Sequence, residues 1–324
     1  MRGRSGPAVE DLQRRLGALG HRADDRPGHY GPGTEQAVCG FQAARGLRVD
    51  GVCGRQTWSA LIEAGWALGD RLLYRRTPML RGDDVADLQR RLGGLGFDTG
   101  RVDGIFGDDT GRGLSEFQRN AGLTVDAICG PATIAALQRL EAARTSNEPV
   151  SQVRERLRSW PDLAGRRVVV AQPGGLDVLV TAVLQELARA SVEAVAVVDP
   201  DGSAQAAAAN GAGAEAFVAF EVTPEREGVS AYYYAGFRYE SPAGERLAHL
   251  LVDAVTAHTG LASAGVKGMS LPALRETRMP AVICEVGPVH AVVEHSSRFG
   301  PALRQALAAW VAGGAGSSGG SCRA

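Results

Sequence analysis

MPAVICEVG, residues 279–287, is an apolar run that closes on a single carboxylate, Glu285. It predicts a buried strand, and the end of such a strand is where an open α/β sheet presents catalytic groups. Glu285 is therefore the first candidate functional residue, weighed against the commoner case of a carboxylate that simply closes a strand. Working outward, RRVVVA (166–171), EAVAVV (193–198) and AFVAF (216–220) read as further strands, and VSAYYYAGFRYE (229–240) supplies more. Between them, Leu176, Leu179, Val180, Val183, Leu184 and Leu187 mark one face of a long helix. The Ala-rich stretch 204–210, residues 243–259 and Leu303–Val311 give three more helices. Strands alternating with helices predict an α/β domain over 166–313, with a mainly parallel sheet covered by helices on both faces.

The first half has a different organisation, because an offset of 76 residues lays it onto itself without a gap. LQRRLGALG at 12–20 returns as LQRRLGGLG at 88–96, Phe41-Gln42 as Phe117-Gln118, Asp50 as Asp126, Cys53-Gly54 as Cys129-Gly130, and Thr57 as Thr133. Each copy opens with apolar residues at helical spacing: Val9, Leu12, Leu16 and Leu19, then Val85, Leu88, Leu92 and Leu95. In the second copy VDGIFG forms a turn, and Asp108, Asp109 or Thr110 is expected to cap the next helix, from which Leu114 and Phe117 face inward. VDAICG and Pro131 lead into a short apolar helix, Ile134 to Leu140. Two small all-α, three-helix domains result, at 1–67 and 77–143. A linker at 144–165 carries a short docking helix around Val153, Leu157 and Trp160, and GGAGSSGGSCRA (314–324 without its first residue) is a flexible tail.

Composition narrows the function. The 324 residues carry a net charge of -1, and arginines alternate with acids instead of forming one-sign blocks, so nucleic acid is not an expected partner. No run approaches membrane-spanning length. The five cysteines are odd in number and lack CxxC spacing, which argues against a zinc knuckle or a disulfide scaffold. The opening MRGRSGPAVEDLQRRL has no apolar signal region, so the expected location is the cytoplasm.

The repeated pattern LQ..L..LG, VDG.FG..T, FQ...GL.VDG..G..T...L resembles the peptidoglycan-binding domain found in tandem on cell-wall hydrolases. The first copy departs from it at Pro27, in place of the loop aspartate, and at Tyr30, in place of phenylalanine. In the second half, RRVVVAQPGG, AAAANGAGAEAFVAFE, AYYYAGFRYE and LRETRMPAVICEVG resemble the zinc-dependent N-acetylmuramoyl-L-alanine amidases. That resemblance implies a zinc ion held by two histidines and a glutamate, and a strand-end glutamate as general base for cleaving the amide between muramic acid and peptide. It places Gly174 where the first histidine belongs, Asp177 nearest the ligand glutamate, and Glu221 where the second histidine belongs. Only Glu285, the base, is retained. His290 and Glu294 form an i, i+4 pair if helical, with His295 beside them. His249 and His258 lack the flanking pattern of a helical zinc motif.

These positions predict no stable catalytic zinc and a remnant Glu285. The expected function is a binding protein for peptidoglycan fragments or precursors that has lost hydrolysis. It resembles an actinobacterial amidase-like regulator of cell-wall synthesis, a type implied to stimulate the cytoplasmic enolpyruvyl transferase that commits precursor to the pathway. That regulator's threonine switch is not matched here, since the tail offers Ser317, Ser318 and Ser321. The alternative is an active amidase using zinc at a site built from Asp177, Glu221 and Glu285, with or without one histidine; a third reading is a pure docking adaptor.

Overall fold

The computed structural model describes residues 3–141, 149–157, 162–224, 227–237 and 239–313. The chain divides into two compact units, Met1–Val153 with Phe237–Tyr239, and Arg154–Gly236 with Glu240–Ala324. The expected tail, Trp160 and most of the 144–150 segment lie outside the described residues.

The first unit holds two three-helix repeats: α1 (Pro7–Ala18), α2 (Pro32–Ala44) and α3 (Arg55–Ala64), then α4 (Asp83–Gly94), α5 (Asp108–Asn120) and α6 (Pro131–Glu141). Each repeat has its own core. Leu12, Leu16, Tyr30, Val38, Phe41 and Leu61 fill the first, and Val85, Leu88, Leu92, Phe106, Leu114 and Phe117 the second. Val9, Leu19 and Leu95 pack at the margins and are only partly buried.

The glutamines of the LQ and FQ motifs brace the turns. Gln89 Oε1 accepts from the Asp103 and Gly104 N–H groups at 3.1 and 2.8 Å, while its Nε2 faces Asp103 Oδ1 at 2.9 Å, the Ile105 carbonyl at 3.1 Å and Thr110 Oγ1 at 2.9 Å. Gln42 and Gln118 repeat this on Asp50, Val52, Thr57 and on Asp126, Ile128, Thr133. A buried amide that satisfies so many turn groups fixes the loop and the next helix together. It also corrects one expectation. The residue capping α5 is Gly107, with no side-chain cap, because the helix already begins at Asp108 and takes all three candidates into its first turn. In addition, α6 starts at Pro131, three residues before the expected Ile134.

The second unit runs α7 (Val150–Leu157, begun in the first unit), β1 (Arg167–Gln172), α8 (Asp177–Arg189), β2 (Glu193–Val198), α9 (Gly202–Gly211), β3 (Ala216–Val222), β4 (Gly228–Gly236) and β5 (Tyr239–Glu240). It continues with α10 (Pro242–Thr259), β6 (Ser263–Met269), α11 (Pro272–Arg275), β7 (Ala281–Gly287), α12 (Val289–His295) and α13 (Phe299–Gly313). The expected docking helix is α7, and its buried Glu155 accepts a hydrogen bond from Ser241, the N-cap of α10.

The sheet order is β2-β1-β3-β7-β4-β5, with β6 beside β4. The expected parallel register holds across β2, β1, β3 and β7, whereas β4 runs antiparallel to β7 and carries β6 parallel to itself. The sheet is therefore mixed. β6 was not among the expected strands, since SAGVKGM lacks a run of β-formers; the α10 crossover places it by pairing with β4. Val168, Val170, Val218, Phe220, Val282 and Cys284 face α8, α10 and α13. On the opposite face α9 packs with α11, which meets β4 and β7.

Candidate functional site

The C-terminal ends of β1, β3 and β7 lie side by side, and every residue singled out from the amidase resemblance falls at or just beyond those ends. In β1 the final residue is Gln172, buried at 1% exposure. Its Nε2 donates to Asp177 Oδ1 at 2.8 Å and its Oε1 accepts from the Leu176 N–H at 2.6 Å. One buried amide thus closes the Pro173-Gly174-Gly175 turn and fixes the start of α8. Gly174 and Gly175 have φ of 128° and 83°. A Cβ built at either meets nothing within 4 Å, so space for a side chain exists but the backbone favours glycine. Asp177 is exposed at the first turn of α8.

Glu221 of β3 and Glu285 of β7 are register partners on adjacent parallel strands, so both side chains leave the same face of the sheet. That is the face opposite Cys284 and α10. Glu221 is partly exposed; Glu285 is 6% exposed. Antiparallel β4 sets Ser230 directly across from Glu285 and Tyr232 two residues along on the same face. The Tyr232 hydroxyl donates to Glu285 Oε2 at 2.6 Å and accepts from the Ser230 hydroxyl at 3.3 Å. A relay of two hydroxyls thus holds the carboxylate, with a short charge-assisted bond at its end. The neighbouring Cys284 faces the core; burial, and then the Glu285 charge, push its thiol up to about 12, so it is no nucleophile.

Two of the histidines belong to the other face of the sheet. His249 is exposed on α10, and His258 Nε2 lies 2.9 Å from Gln305 Oε1, both on the helix that covers the face away from Glu285. The segment holding His290, Glu294 and His295 is helical as α12, but His290 and Glu294 are both exposed and no bond joins them. Among the described residues, no three of His, Cys, Asp and Glu are grouped so as to hold a metal ion. No disulfide joins Cys39, Cys53, Cys129 and Cys284, while Cys322 lies outside the described residues. No helix among the described residues is long and apolar enough to cross a membrane.

Tyr232 and Gln172 escaped the reading of the sequence. Alternation in AYYYAG separates Tyr233 from Tyr232 and Tyr234, but which face meets Glu285 depends on the β4–β7 register, a long-range property.

Comparison with known proteins converges on the same division of the chain. The peptidoglycan binding domain family matches residues 5–61 and 81–137, and the N-acetylmuramoyl-L-alanine amidase family matches 176–314. The chain is 34% identical over 322 residues to the N-acetylmuramoyl-L-alanine amidase CwlM of Mycobacterium tuberculosis, covering 86% of this chain and 79% of that protein. It is 32% identical over 164 residues to the amidase CwlL of Bacillus licheniformis, spanning 43% of this chain and 45% of CwlL. The crystal structure of the amidase Ami1 from Mycobacterium smegmatis overlaps 47% of this chain and 99% of its own at 16% identity and a TM-score of 0.40. With two peptidoglycan-binding repeats ahead of an amidase-type α/β domain, this chain belongs to the N-acetylmuramoyl-L-alanine amidase family.

Proposed function

We propose that this protein binds peptidoglycan fragments or precursors without hydrolysing them, and that it regulates cell-wall peptidoglycan synthesis. The observation that carries the reading is the donor set at the strand ends. A catalytic zinc site takes three protein ligands and leaves a fourth position for water. Gly174 has no side-chain donor, Asp177 is tied to Gln172, and Glu221 alone adjoins Glu285, which is itself engaged by Tyr232. These residues do not fit a catalytic zinc, and without a metal-activated water Glu285 has no nucleophile to generate. The repeats supply the wall-directed half of the function, since their family is peptidoglycan-binding. In this reading the protein acts in the cytoplasm, on soluble precursors and on an enzyme that makes them, the enolpyruvyl transferase.

The test is zinc analysis of chelator-free protein together with an amidase assay of wild type and Glu285→Ala. We expect far less than one zinc per chain, no stem-peptide release by either form, and muropeptide affinity equal in both. A working amidase is the competing reading, favoured by Glu221 and Glu285 facing the same side as register neighbours. Near-stoichiometric zinc, with peptide release abolished in Glu285→Ala, would establish it. Stimulation of purified enolpyruvyl transferase by the full chain tests the regulatory half, and unchanged turnover would remove it.

A further inference from the structure

The two edges of the sheet are built differently. At one edge, β6 carries Lys267, the chain's single lysine, together with Gly265 at a φ of 95° and Gly268. Its pairing with β4 shifts register between Val229 and Ser230. Lysine, glycine and an irregular ladder are the devices that keep an exposed strand from pairing further. At the other edge, β2 reads EAVAVV, six residues in regular register with β1 and without lysine, glycine or proline. Val195 and Val198 are 37% and 58% exposed.

The backbone of β2 is correspondingly open. Along a parallel strand, alternate residues turn both N–H and C=O toward the same neighbour. The Glu193 N–H donates to the Arg166 carbonyl at 2.9 Å and the Asp199 N–H to the Gln172 carbonyl at 3.0 Å, so the odd-numbered residues face β1. Ala194, Ala196 and Val198 therefore turn away from the sheet. The Ala194 N–H is taken by the Val192 carbonyl at 3.0 Å, which leaves the Ala196 and Val198 N–H groups and three carbonyls presented along the edge.

Charge specifies the partner. At the start of β2, Arg166, Arg167, Arg189 and Arg304 are bonded among Glu215, Glu193 and Glu186, with Asp162 beside Arg166, and Arg167, Arg189 and Arg304 keep 45%, 74% and 46% of their side chains exposed. At its end, Asp199 and Asp201 accept only backbone N–H groups and pair with no cation among the described residues. A second copy docked antiparallel about a two-fold axis sets the aspartates of each against the arginines of the other, and it does so twice. A parallel copy would stack like ends. We propose that β2 is a self-association edge, where two copies of this chain join their sheets antiparallel through Ala194, Ala196 and Val198.

The experiment is sedimentation of the full chain at micromolar concentration, with hydrogen exchange measured on the same samples. Wild type is expected at twice the 33.9 kDa chain mass. The Ala196 and Val198 amides should gain at least tenfold protection as concentration rises. Ala196→Pro removes an outward N–H, a substitution edge strands tolerate, and should sediment at the single-chain mass with an unchanged circular dichroism spectrum. Ala196→Lys, which keeps the N–H, should do the same by crowding like charges at the two-fold axis. Asp199→Arg with Asp201→Arg should weaken the dimer several-fold. A wild type at the single-chain mass throughout overturns the proposal, as does a dimer that survives in both folded Ala196 variants without concentration-dependent protection of the two amides. An edge that pairs with another protein's strand instead would give the single-chain result.

Discussion

The helical repeats and the α/β domain have absorbed substitution in different ways. In the first repeat Pro27 stands where the second has Asp103, yet the brace survives: Gln13 Nε2 lies 3.3 Å from the Arg26 carbonyl and 3.0 Å from the His29 carbonyl, and Gln13 Oε1 accepts from the Gly28 N–H at 2.9 Å. A main-chain carbonyl has taken over from a carboxylate. Tyr30, in place of Phe106, likewise finds the Gly51 carbonyl at 2.6 Å. In the α/β domain Glu285 is buried and bonded to Tyr232, while Gly174 and Asp177, beyond the end of β1, are exposed and Glu221, near the end of β3, is partly exposed. Motif residues in the repeats hold the fold; at the exposed strand ends a side chain can change without disturbing the core.

The largest test of that contrast is Gln89→Ala, which strands the Asp103 and Gly104 N–H groups inside the second repeat. A loss of about 3 kcal/mol in urea unfolding is expected. Gln13→Ala should lose about half as much, because its loop is nearer solvent and water can replace the amide. Equal losses would break the comparison between repeats.

In the α/β domain, Tyr232→Phe should lose about 1–2 kcal/mol, as should Glu285→Ala, with a coupling of about 1 kcal/mol in the double variant. Additive effects would mean that the 2.6 Å bond does not hold Glu285.

Smaller effects separate the two turns that follow Gln42 and Gln118. Ala127 sits at a φ of 56°, where the first repeat has Gly51 at 65°. Ala127→Gly should therefore gain about 0.5–1 kcal/mol by relieving left-handed strain. Gly51→Ala should be harmful, since a Cβ there would meet Glu35 Cγ at 2.7 Å and Cys39 Sγ at 3.1 Å.

The smallest effect is a pH dependence. Burial pushes the Asp87 carboxyl up, but its bonds to Arg90 and Arg91, at 2.7 and 2.8 Å, outweigh it and hold the carboxyl below its ordinary range. A depressed folded pKa stabilises above the unfolded value and is lost as pH falls through the folded one. The deficit of Asp87→Asn relative to wild type should thus be full at neutral pH and vanish in acid. Asp11→Asn in the first repeat, where the carboxylate is 33% exposed against 13% for Asp87, should show less.

Much of this was legible in the chain itself. The duplication, the three-helix repeats, the alternating strands and helices and the place of Glu285 follow from local periodicity and self-similarity, which are written into consecutive residues. The resemblance to the amidases directed attention to Gly174, Asp177 and Glu221 as the expected ligand-equivalent positions. β6 was missed because its glycines and lysine hide a strand that exists only by pairing. The α5 cap was misjudged because the helix starts one residue earlier than a side-chain cap at Asp108 would allow, with Gly107 at the cap position.

The amino-acid order determined which elements form, since helical and strand periodicity and turn chemistry act over a few neighbouring residues. The tertiary structure alone decided that Tyr232 secures Glu285, that Gln172 ties Asp177, and that β2 is left as an open edge. Each depends on strand order and register, which arise from contacts between residues far apart in the chain and have no local signature.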